Sequence, residues 1–509
     1  MASAAAPGGD AAADAPPDAA GGTAMGDPAA LWAPRAWIDG AWAERVLLRI
    51  DGRGHWAEVR PGSGAEGATV LAGPALPGLV DAHSHAFQRA FAGMAERRDL
   101  DHDDFWSWRD GMYRTALRVR PEQQQAIAAQ LFLELARGGY THVCEFHYLH
   151  NDLDGRPYAD PARMAHAIAA GAGEVGIGLT LLPTVYERAG FASPTLREDQ
   201  RRFCADADAV LAMRNALRAG PGKPAVRVGL ALHSLRAATA ASIERIAESA
   251  EGAPIHIHIA EQSQEVEDCL AATGLRPIEW LSRHIALDRR WHLVHATHAT
   301  GAEIDAIARS GAGVVLCPTT EANLGDGIVD LPGWLRRGVP LSLGSDSQVS
   351  RTALEELRLL EYGQRLTRRE RCVGADPQRG EPSVAANLWN RVQAGGAAAA
   401  GCDEGWGLQV GARADLLVVD TRSPALLGVP GSHLLDALVF SSPNRPFRDV
   451  MSGGRWLTRD HRHAAGEAIA ERFVEAMREI RREAGGPDGA PGAPADPPAD
   501  SHRAGGDRG

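Results

Sequence analysis

Lysine is almost absent: Lys223 is the only one, and arginine supplies every other side-chain cation. Paired cysteines are missing too. Cys144, Cys204, Cys269, Cys317, Cys372 and Cys402 include no C-x-x-C pair, which argues against a disulfide framework and fits a reducing cytosol. No apolar run is long enough to cross a bilayer. The first residues lack a basic start and an apolar stretch and carry Asp10 and Asp14, unlike a secretory signal, so a cytoplasmic protein is expected. An excess of positive charge is lacking as well. At a formal net charge of −12 the whole-molecule field repels nucleic acid and anionic membranes, so neither is an expected partner. The same field repels an acidic small molecule, which would have to be held by locally placed arginines.

What is present is ordinary for a globular protein: 44% hydrophobic and 23% charged residues over 509 positions. Residues 1–30 and 485–509 are rich in Ala, Gly, Pro and Asp and poor in large apolar side chains, and are expected to be disordered tails. Between them, short apolar runs alternate with helical patterns. The runs are Leu79 to His83, Tyr140 to Phe146, Gly178 to Leu182, Val226 to His233, Ile255 to Ile259, His292 to His295, Gly313 to Cys317 and Leu341 to Ser345. Helical patterns such as Glu122 to Leu135 and Ser242 to Ala250 separate them. Alternation of this kind predicts parallel strands with crossover helices, and eight units suit an α/β fold of the (β/α)8 TIM-barrel type over residues 76–404. The flanks, 31–75 and 405–465, hold short strands with Gly turns, and together they predict one small β-sandwich, followed by a helix at 466–484.

The ends of these strands carry the chemistry. His83 and His85, two apart, share one face of the first strand, so both rings can reach one ion. The fifth run ends in His256-Ile257-His258-Ile259-Ala260-Glu261, where either histidine is a possible ligand; the sixth ends at His295 and the eighth leads into Asp346. Each residue alone reads more simply as a hydrogen-bonded half-buried histidine, or for Asp346 as a helix cap. Four strand ends bearing such groups together point to a metal centre, because active-site residues gather at that end of a barrel. Imidazoles plus one carboxylate suit one divalent ion, Zn²⁺ or a similar cation, with a position left open for water. A binuclear centre bridged by a carbamylated lysine requires a lysine at a middle strand end, whereas Lys223 stands in Pro221-Gly222-Lys223-Pro224 before the fourth strand. Glu261, three residues past His258, is placed to carry a proton beside the metal without ligating it.

Longer segments make the pattern specific. These are Pro77-Gly78-Leu79-Val80-Asp81-Ala82-His83-Ser84-His85-Ala86-Phe87-Gln88, Phe105-Trp106-Ser107-Trp108-Arg109, Cys144-Glu145-Phe146-His147-Tyr148, His258-Ile259-Ala260-Glu261, and Pro318-Thr319-Thr320-Glu321-Ala322-Asn323-Leu324-Gly325-Asp326-Gly327. Over residues 35–470 the chain resembles the amidohydrolase superfamily, and within it the N-formimino-L-glutamate deiminases of histidine degradation. The resemblance implies metal ligands His83, His85, His258 and Asp346, which leaves His256 as a satisfied strand histidine. It implies proton handling by Glu261, His295 and Asp346, and substrate contacts from Gln88, Arg109, Tyr148, His233 and Arg236. It also implies a homodimer. A substrate with two carboxylates needs fixed cationic partners, and Arg109 and Arg236 follow strand ends where such a pocket would lie. A guanine or other heterocycle deaminase would have no use for two such arginines. A catalytically silent binding barrel would show gaps in the constellation, and an amidase or peptidase would cleave formylglutamate instead of releasing ammonia. Gln348, two residues after Asp346, cannot carry a proton.

Overall fold

The computed structural model describes residues 30–96, 105–219 and 226–482. The two expected tails, apart from Ala30, and the Lys223 loop lie outside them.

Five strands open the chain: β1 (Ala30–Ile38), β2 (Ala41–Ile50), β3 (Trp56–Arg60), β4 (Thr69–Val70) and β5 (Ala75–Leu76). β1 and β2 are joined by Asp39-Gly40, both with left-handed backbones (φ 49° and 80°), the two-residue turn whose twist matches its flanking strands. The barrel strands follow: β6 (Leu79–Ser84), β7 (Tyr140–His147), β8 (Gly178–Val185), the short β9 (Arg227–Val228), β10 (Leu230–Ser234), β11 (Ile255–Ile259), β12 (Trp291–His295), β13 (Gly313–Leu316) and β14 (Leu341–Leu343). β15 (Leu416–Val419), β16 (Phe447–Ser452) and β17 (Arg455–Thr458) return to the first group.

All barrel pairings are parallel, and β10 pairs with β8 as well as β11, which closes a ring of eight with β9 as a spur on β8. The fold is the expected (β/α)8 barrel. The expected fourth strand is the one that breaks, into β9 and β10 around Gly229. Barrel strands are apolar along their length because helices cover one face and interior side chains the other. Val143, Leu181, Ile257, Leu293 and Val314 are all fully buried or nearly so.

The small β domain draws on both flanks: β17, β16, β15, β5, β1, β2 and β3 are hydrogen-bonded in that order, with β4 on β1. It is fastened to the barrel floor, the end opposite the strand tips. There Arg413 bonds the Thr141 carbonyl (3.0 Å), lies 3.0 Å from His142 Nδ1 and pairs with buried Asp415 (2.6 Å). The helix Val384–Ala399 runs onto the same floor, and its last carbonyls accept hydrogen bonds from barrel side chains. His256 Nε2 donates to Ala399 (2.9 Å) and Thr180 Oγ1 to Ala400 (2.9 Å). His256 therefore ends a helix at the bottom of the barrel, one layer below His258.

Candidate metal centre and substrate cleft

At the opposite end, four side chains from three strand tips meet. His83 Nε2 lies 3.1 Å from His85 Nε2 and 2.9 Å from His258 Nε2, and Asp346 Oδ1 lies 3.4 and 3.3 Å from the first two. All four donor atoms fall within 4.8 Å of one another. The outer nitrogens decide the chemistry. His85 Nδ1 donates to the Phe146 carbonyl and His258 Nδ1 to the His233 carbonyl, each at 2.9 Å. With Nδ1 protonated, each neutral ring turns a bare lone pair inward, the tautomer a metal requires. Burial pushes His83 down to about 3 and His258 well below the usual histidine range, so both rings stay neutral. Asp346 is held well below the carboxylate range although burial opposes its ionisation, with His83 and His85 beside it. Three neutral nitrogens and one carboxylate oxygen, nearly sealed from solvent, fit a divalent cation.

The backbone around these residues is unusual. Ala260, His295, Ala296, Asp346 and Gln348 all have left-handed φ between 49° and 68° without being glycine. Each such residue costs on the order of 1–3 kcal/mol and persists only where its surroundings hold it. Here the surroundings are buried polar contacts. Glu145 accepts from Ala86 N–H (2.6 Å) and Ser84 Oγ (2.8 Å), which fixes the bend carrying His83 and His85. Asp81 accepts from Ser345 N–H (2.9 Å) and Oγ (2.5 Å), and Gln348 donates to Ser84 Oγ (3.1 Å) and the Asp346 carbonyl (2.9 Å). Gln348 is thus a brace, as fits an amide side chain that does not ionise. Gly344 is required by close approach, since a Cβ there would lie 2.6 Å from His83 Cβ.

Beside these four side chains stand Glu261 and His295. His295 Nε2 lies 3.6 Å from Glu261 Oε1 and 3.7 Å from Asp346 Oδ2. Burial raises Glu261 to about 7, with His295 opposing the rise. His295 itself is pushed up to about 10: burial opposes the charge, and Glu261, Glu321 and Asp346 together overcome it.

Gln88, Arg109, Tyr148, His233 and Arg236 line one cleft with His85, His258, Glu261, His295 and Asp346. Arg109 lies in the helix Phe105–Ala116, inserted after β6, and Arg236 two residues past β10; they are 9% and 7% exposed, so neither is a solvated surface charge. Gln88 Nε2 donates to Tyr148 Oη (3.0 Å), and the His233 ring lies 5.3 Å from Tyr148 and 4.9 Å from His258. Burial, then Arg236, keeps His233 neutral.

Two carboxylates escaped the reading of the sequence, Glu321 and Asp326. Glu321 Oε1 lies 3.4 Å from His295 Nδ1, and buried Asp326 bonds Gln262 and sits within 4.8 Å of both Glu261 and His295. Both belong to the Pro318–Gly327 segment just past β13. An acidic pair at a strand's C-terminal end was the signal available. Trp108, Met112 and Tyr113, on the same helix as Arg109, also line the cleft.

Residues 75–457 match the amidohydrolase family. The chain is 48% identical to a formimidoylglutamate deiminase of Pseudomonas aeruginosa, over 89% of this chain and 99% of that protein. It is 29% identical to a 5-methylthioadenosine/S-adenosylhomocysteine deaminase of Natronomonas pharaonis, over 78% of this chain and 83% of that one. The crystal structure of an amidohydrolase from Brucella melitensis superimposes with a TM-score of 0.83 at 39% identity, covering 89% of this chain and 99% of that one.

Proposed function

The chain belongs to the amidohydrolase family, and from that premise we propose that it hydrolyses N-formimino-L-glutamate to N-formyl-L-glutamate and ammonia. The observation that carries this reading is the pairing of two buried arginines with the His/Asp/Glu apparatus in one cleft. Two buried cations are wasted on a neutral heterocycle and matched by a dicarboxylate.

Arg109 and Arg236 hold the two carboxylates, with Tyr148 and His233 filling the wall between them and Gln88 nearer the reacting end. The formimino carbon then faces His83, His85, His258 and Asp346. One zinc ion is assigned to those four residues, because neutral imidazoles and a carboxylate are its usual partners. When bound, it supplies Lewis acidity that makes water acidic enough to attack near neutral pH. Water adds to the formimino carbon; Glu261 takes a proton from it and passes that proton to the terminal nitrogen. His295, charged near neutral pH, stabilises the tetrahedral centre through its Nε2–H; Asp346 takes the remaining hydroxyl proton, which passes on to the terminal nitrogen as the C–N bond to it breaks, and ammonia leaves. The formyl C=O forms, and the substrate's own N–C bond to glutamate survives.

The six cysteines are all free thiols, four of them buried, which supports a reducing cytoplasm as the site of action; the assembly we assign is a homodimer, from the family resemblance. The function is tested by coupled ammonia release from purified, metal-quantified protein. Formiminoglutamate should turn over, and guanine and formylglutamate should not. Guanine turnover with an inert formiminoglutamate would overturn the reading.

A further inference from the structure

Glu321 has no part in the chemistry described above, yet it is 4% exposed and reaches a residue that does. It lies on the short helix Pro318–Leu324, where its Oε1 accepts the backbone N–H of Cys317 at 2.9 Å. That bond pins the carboxylate at the helix start. The same oxygen lies 3.4 Å from His295 Nδ1, a long contact of the kind that shortens once a site is loaded.

His295 needs such a partner. It ends β12 with a left-handed backbone (φ 68°), so ordinary strand geometry does not aim its ring. His258 packs against one face, its centroid 5.6 Å away and nearly parallel. On the far side Nε2 meets Glu261 and Asp346 at 3.6 and 3.7 Å. His85 and His258 settle their Nδ1 protons on backbone carbonyls; His295 has a carboxylate there instead. An Nδ1 lone pair aimed at an anionic oxygen is repelled, whereas Nδ1–H is attracted.

We propose that Glu321 is a positioning residue for the deamination: it holds the His295 ring in the form that carries a proton on Nδ1, which turns Nε2 toward the reacting end of the substrate. This rests on the deaminase reading of the same site.

The test uses zinc-loaded Glu321→Ala and Glu321→Gln. Ala removes the anchor. Gln keeps an acceptor oxygen of the same reach, able to bond both Cys317 N–H and Nδ1–H. In Glu321→Ala, kcat should fall about 100-fold at nearly constant KM and bound metal, as expected when the partner of an active-site imidazole is lost. Glu321→Gln should recover about tenfold of that loss. Nitrogen-15 spectra of histidine-labelled protein, with His295 assigned by its disappearance in His295→Asn, should show a protonated Nδ1 in the wild type and its loss in Glu321→Ala. A kcat in Glu321→Ala within about threefold of wild type, a Gln variant no better than Ala, or an Nδ1 signal indifferent to the substitution overturns the proposal. If the wild type released no ammonia from formiminoglutamate, the function would fall, while the Nδ1 signal would still decide the role of Glu321.

Discussion

Replacing Arg236 with methionine tests the substrate cleft most directly. Methionine keeps much of the volume and removes the charge. Arg236 is 7% exposed and lines the same cleft as Glu261 and His295, so solvent screens its pairing with a bound carboxylate very little. Truncating one partner of a buried charge pair costs about 2–5 kcal/mol, or about 30- to 5,000-fold in kcat/KM. Depth puts Arg236→Met in the upper half of that range, with bound metal unchanged. Arg422, whose side chain is 73% exposed, serves as the control: Arg422→Met should stay within about twofold, as exposed pairs are worth about 0–1 kcal/mol. A second consequence concerns pH. Arg236 lowers the Glu261 carboxyl, which burial holds at about 7. Without that cation the carboxyl titrates higher, so the acid limb of kcat/KM moves to higher pH. The decisive assay crosses the protein change with substrate analogues lacking either the α- or the γ-carboxylate. Against the analogue missing Arg236's own partner, wild type and variant should differ little; against the other, the full penalty should remain. Equal penalties on all three substrates would refute the clamp and make Arg236 a support of the fold.

Three further outcomes follow from the same geometry. Chelation should abolish ammonia release and zinc should restore it, measured by metal content against activity; activity in metal-free protein would refute the centre. Glu145→Gln should flatten the pH dependence of stability, followed by urea midpoints of metal-free protein. Burial raises Glu145 from 4.5 to about 8, so between those values the native state keeps a proton that the unfolded chain releases. Its contribution is complete below about pH 4.5 and is lost as pH rises to about 8, a loss on the order of 5 kcal/mol at about 1.4 kcal/mol per pH unit. A Gln variant with the wild-type slope would refute this. Gly344→Ala should lower zinc affinity before it lowers secondary structure, since the added methyl meets His83; unchanged affinity, read by competition with a chromogenic chelator, would refute the close approach.

Much of this was legible in the chain because it is local. Eight apolar runs and their spacing predict eight barrel strands, since a strand covered on both sides has no polar face to show. Histidines two apart share a side by the pleat alone, which put His83 beside His85. Yet the same periodicity gave His256 and His258 equal standing: the pleat tells which side a ring faces and not how deep it lies. Depth comes from the barrel's layers, with His256 on the floor capping a helix and His258 at the mouth.

The sequence alone determined the barrel, the small domain built from both flanks, and the residue types offered at each strand tip. Only the tertiary structure decided which of them meet: Arg109 and Arg236 in one cleft, and Glu321 behind His295. It alone revealed the left-handed backbone at His295 and Asp346. The physical reason is range. Pattern and propensity act over a few residues, while tautomer, ionisation and strain are fixed by groups far apart in the chain that burial forces together.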